Sequence, residues 1–122
     1  MALTRISNFH LGTALALYRE LGGARAVYEH RNDIGDVLPD CSPRLVNALK
    51  DWDGALRRAC DEATFMQEHG ITPLPLCSDG YPQRLKECDD APVVLYYKGS
   101  ADINARRVVS IVGTRHCTAY GQ

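Results

Sequence analysis

The sequence predicts an α+β fold: a bundle of short helices followed by the first strands of an α/β sheet. Three observations carry this. Up to about residue 70, apolar side chains recur at the spacing of helix faces. Beyond Gly70 that period is lost, and short runs rich in Val, Ile and Tyr take over. Two of those runs, "PVVLYYKG" and "RRVVSIVG", close on glycine, as strands that turn sharply do.

Taken in order, "TALALYRELGG" places Ala14, Leu17, Tyr18 and Leu21 on one helical face, with Thr13 set to cap its start and Gly22 to close its end. "ARAVYEH" predicts a further amphipathic turn with Ala24, Val27 and Tyr28 inward. Ser42-Pro43 is a helix-start pair: serine accepts a backbone N–H, and proline sits where none is needed. Leu45, Leu49 and Trp52 form the stripe behind it. Asp53 reads as the cap of a longer helix to about His69, with Leu56, Cys60, Ala63 and Met66 on its apolar face. The i,i+4 pairs Arg57/Asp61 and Arg58/Glu62 read as a solvated face, each worth about a few tenths of a kcal/mol at most.

Gly70 ends that helix, and the character of the chain changes. "ITPLPL", interrupted by Pro73 and Pro75, is an edge strand or an extended connector, because proline cannot donate to a ladder. "SDGYPQRLKEC" is a turn followed by one or two helical turns. "PVVLYYKG" and "RRVVSIVG" are strands, the second apolar enough to be a buried parallel one. So few strands cannot cover both faces of a sheet, which predicts that a helix and the rest of a domain follow the last of them. The organisation expected is a helical domain over 1–52, a connecting helix over 53–70 and the start of an α/β domain over 71–122.

Composition excludes several classes. The 122 residues are 45% apolar and 24% charged with a net charge of −1, which is the balance of a soluble globular protein. That charge offers no global argument for nucleic-acid binding, so any argument must be local. Residues 105–122 hold Arg106, Arg107 and Arg115 and no acid. The cysteines Cys41, Cys60, Cys77, Cys88 and Cys117 are odd in number and show no C-x-x-C spacing, so free thiols in a reducing cytoplasm are expected and a metal site is not. No long apolar segment suggests a secretory leader or a membrane span.

The opening "MALTRISNFHLGTALALYRELGG" resembles a helix–hairpin–helix unit. Intact units use a Gly-x-Gly-type hairpin whose N–H groups contact a phosphate. Here the turn is "NFHLG", where Gly12 is accompanied by Phe9 and His10. Fewer approachable N–H groups favour a structural or protein-contact role over direct DNA contact, with His10 on the surface.

The stretch "SIVGTRHCTAYG" (110–121) carries the main chemistry. A parallel strand that ends in glycine and leads into a helix makes a cradle for anions at its carboxyl end. Thr114 adds a hydroxyl, and Arg115 a planar fork that matches phosphate oxygens in pairs. The dinucleotide fingerprint is absent, since the next glycine after Gly113 is Gly121, and a Walker A loop is absent too. The competing reading is that Arg115 only pairs with an acid elsewhere.

The residues Asp79–Gly121 resemble the entry into the Rossmann-like domain of the DprA/Smf DNA-processing family. Tyr81-Pro82 and Leu85 match its Y-P-x-x-L. Asp90, Pro92, Leu95, Lys98 and Gly99 match its D-x-P-x-x-L-x-x-K-G. "VSIVGTR" with Thr118, Tyr120 and Gly121 matches its V-x-I-V-G-[ST]-R-x-x-T-x-Y-G. The helical half fits the family's sterile-alpha-motif-like or helix–hairpin–helix domain. The resemblance implies a truncated Rossmann-like α/β domain after the helices, without its second glycine-rich loop, S-G-x-A-x-G-I-D. It implies a cytoplasmic, non-catalytic protein of natural transformation that binds and protects single-stranded DNA, loads RecA onto it, forms a homodimer and needs no cofactor. It assigns DNA-backbone contacts to Gly113, Thr114 and Arg115, with only diffuse attraction from Lys98, Arg106 and Arg107. Tyr81, Tyr96 and Tyr97 are read as core or sheet packing rather than base-stacking platforms.

Two other classes remain open on the residues alone. A Rossmann-like nucleotide hydrolase needs an acid or base beside the loop, and His116 is the local candidate, with no carboxylate accompanying it. A helical protein-interaction module needs only residues 1 to about 52.

Overall fold

A computed structural model describes residues 1–6, 11–39 and 41–109. The elements are α1 (Ala2–Ile6), α2 (Leu11–Glu20), α3 (Ala24–Glu29), α4 (Ile34–Val37), α5 (Pro43–Lys50), α6 (Asp53–His69), β1 (Thr72–Pro75), α7 (Gln83–Lys86) and β2 (Val94–Tyr97). The change of character at residue 70 is where the helices give way to the sheet.

Local chemistry explains most of the boundaries. Ser42 Oγ accepts the Leu45 N–H at 3.3 Å and Pro43 opens α5, as the sequence predicts. Gly70 sits at φ 62°, in the left-handed region, and its N–H returns to the Met66 carbonyl, stopping α6 after His69. Two expected caps are corrected. α2 begins at Leu11, so Thr13 lies inside its first turn, and Gly12 belongs to the helix rather than to the hairpin. α6 begins at Asp53 itself, which makes Asp53 a favourably placed charge in the first turn instead of the cap. Phe9 and His10 lie outside the described residues.

The apolar face of α6 is also corrected. Met66 is buried as the sequence predicts, but Leu56, Cys60 and Ala63 are exposed, and Ala59 is buried with Ala55 and Glu62 half-buried beside it. The physical reason is the neighbour: α1 lies against α6, and two alanines let the backbones approach where leucine would not. Glu62 reaches out of this seam to pair with Arg58 at 3.3 Å and with Arg5 of α1 at 3.5 Å. Arg57 and Asp61 are not an ion pair among the described residues. In the third helix Val27 is fully buried and Tyr28 half-buried, but Ala24 is exposed. Tyr28 meets Trp52 edge-on at 5.2 Å, which ties α3 to the α5–α6 junction.

β1 and β2 pair antiparallel, with Thr72 opposite Tyr97 and Pro75 opposite Val94. The Leu76 N–H continues the ladder to the Val93 carbonyl at 3.0 Å. Alternation then aims the Leu74 and Thr72 amides at β2 as well, while Pro73 and Pro75 occupy the positions whose N–H would face outward. The prolines remove no ladder bond, and they leave the outer edge of β1 without those donors. "RRVVSIVG" is corrected as far as it is described: Arg106–Val109 form no strand, and Val108 and Val109 are 57% and 86% exposed. An apolar strand is buried by neighbours on both sides, and no described element covers these residues. Ser110–Gly113 lie outside the described residues.

Leu3, Leu15, Ile34 and Leu49 from the helices and Leu76, Tyr81, Ala91 and Val93 from the second half belong to one buried cluster. Among the described residues no helix is long and apolar enough to cross a membrane.

The α1–α6 seam sets a test. Ala59→Leu should lower unfolding free energy by about 1–3 kcal/mol through overpacking, while Leu56→Ala should change it by about 0.5 kcal/mol or less. Urea denaturation of both variants checks this; the opposite order would put Leu56 on the buried face.

Candidate nucleic-acid interface

The sequence-assigned loop residues Gly113, Thr114 and Arg115, together with His116, lie outside the described residues. The structure describes the platform that immediately precedes them, from Tyr81 to Val109.

That platform is built around Tyr81. Its ring is fully buried, and its O–H donates to the Pro92 carbonyl at 2.6 Å. A buried phenol needs such a partner. The bond joins the Tyr81-Pro82 motif directly to Asp90-Ala91-Pro92, and fully buried Ala91 and partly buried Leu85 pack into the same core. Burial pushes the Tyr81 phenol above its ordinary value, with Cys88 adding to the rise.

Asn104 fastens the returning chain to this centre. Its Oδ1 accepts the Gln83 N–H at 2.8 Å, satisfying a donor that the short helix α7 leaves unpaired. Its Nδ2 donates to the Tyr81 carbonyl at 3.1 Å. The Asn104 N–H itself donates to Asp102 Oδ1 at 2.9 Å, which folds the turn. Arg84 completes the attachment: Nη1 donates to the Ala105 carbonyl at 3.2 Å and Nη2 to the Arg106 carbonyl at 3.0 Å. One guanidinium therefore holds two successive peptide units with charge-assisted bonds. Sequence reasoning passed over Gln83, Arg84 and Asn104. The available signal was the Asp102-x-Asn104 pair, whose side chains favour turns.

At the other end of β2, the Tyr97 O–H donates to the Ala101 carbonyl at 2.7 Å and closes the loop after the strand. Gly99 lies at φ +153°, and a Cβ there would stand 3.1 Å from Tyr97 Oη. The positive φ favours glycine there, and a side chain would also press on the Tyr97 hydroxyl. Lys98 beside it is exposed, as are Arg106 and Arg107, and none of the three is in an ion pair among the described residues.

The tyrosines divide. Tyr81 and Tyr97 pack as expected. Tyr96 does not: it is 53% exposed, on the sheet face opposite Leu95. It lines a cavity of about 580 Å³ with Met1, Arg5, Phe65, Met66 and Ile71. Among the described residues no group of His, Cys, Asp and Glu is placed to hold a metal ion. Cys41 is half-buried, and Cys60, Cys77 and Cys88 are exposed free thiols.

Residues 73–122 match the family model of DNA recombination-mediator protein A. The match begins in β1 and encloses the Tyr81 platform and the Gly113–Arg115 loop. A protein named DNA processing protein DprA from Bacillus subtilis (strain 168) is 44% identical over 57 residues, 46% of this chain and 19% of the relative. One of the same name from Streptococcus pneumoniae (strain ATCC BAA-255 / R6) is 39% identical over 62 residues, 50% of this chain and 22% of the relative. The chain thus spans about a fifth of the length of these curated relatives. No solved structure matches the chain significantly.

Tyr81→Phe should cost about 1–3 kcal/mol, because it leaves the Pro92 carbonyl without its donor. A phenol whose folded value is raised stabilises the protein fully below its ordinary value of 10.0 and loses that contribution as pH rises through the folded value. Denaturation midpoints should therefore fall above that pH in the native protein and fall less in Tyr81→Phe. An equal fall in both would assign the alkaline loss to other groups.

Proposed function

We propose that this chain, whose residues 73–122 match the family model of DNA recombination-mediator protein A, is part of a DNA-processing protein that binds single-stranded DNA during natural transformation. The observation that carries this reading is the sequence "VSIVGTR" inside the matched stretch. Gly113 lets backbone approach the sugar-phosphate chain, Thr114 adds a hydroxyl donor, and Arg115 forks onto phosphate oxygens. Phosphate contacts of this kind position a strand without reading its bases.

The reading extends to the whole protein. A Rossmann-like domain begins at about residue 71, preceded by the helical domain over 1–52 and the connecting helix over 53–70. The protein acts in the cytoplasm as a homodimer that protects single-stranded DNA and loads RecA onto it. It is a binding protein rather than a catalyst and needs no cofactor. The platform of Tyr81, Asn104 and Arg84 supports this reading: it fastens residues 104–106, which precede the loop in sequence, by hydrogen bonds, and a positioned support is what a phosphate cradle needs.

The test is binding of single-stranded oligonucleotides by the full-length protein over a salt series. Arg115→Ala should weaken binding similarly for every base sequence and reduce the slope of log affinity against log salt by about 0.7. Unchanged affinity and slope in that variant would falsify the assignment. Hydrolysis of a nucleotide dependent on His116 would favour the enzymatic reading instead.

A further inference from the structure

We draw no further inference here: the strongest candidate, the cavity of about 580 Å³ between α1, α6 and β2 where Phe65 and Tyr96 stand half-exposed, carries nothing, because Arg5 and Arg58 on its rim are balanced by Glu62 and Asp61 and nothing in the structure shows what covers it.

Discussion

A phenol buried without access to water must be paired inside the protein, and Tyr81 meets that requirement with the Pro92 carbonyl at 2.6 Å. This bond spans α7 and the turn that leads into β2. It fixes where β2 starts and how the chain before it is folded. Asn104 and Arg84 then attach the returning segment to the same centre, joining residues far apart in sequence. Two family-pattern residues, Tyr81 and Pro92, are here structural partners. Their contribution to function is indirect: they decide where the chain at Arg107 begins its next course.

The sheet shows the same economy of donors. Prolines in a strand are costly only where an amide is needed. In β1 they fall at the positions facing away from β2, and the ladder through Leu74 and Leu76 is intact. The consequence is directional, because the outer edge of β1 lacks two of the donors that a further strand would use.

Much of the helical half was legible because its signals are local. A serine before a proline, or a glycine after a histidine, acts on amides within a few residues, and those elements stand where the sequence puts them. The face of α6 was not legible. Leu56 and Cys60 carry more apolar surface than Ala55 and Ala59, so any reading of composition along the helix favours them. The arrival of α1 reverses the choice, because close approach of two backbones rewards the small residue. Thr13 and Asp53 failed as caps for a related reason: each helix begins at or before the residue assigned to end its approach.

Sequence by itself determined that helices precede the strands, the stop at Gly70, the edge character of the proline strand and the family motifs that point to nucleic acid. Those are properties of neighbouring residues, or of residue types at fixed spacing. Only tertiary structure decided which stripe of α6 is buried, that Tyr96 is exposed while Tyr81 is not, and that Arg84 spends its guanidinium on the Ala105 and Arg106 carbonyls. Each of these depends on a partner brought close by the fold, and a side chain's fate is set by the solvent and donors that remain within reach once that partner has arrived.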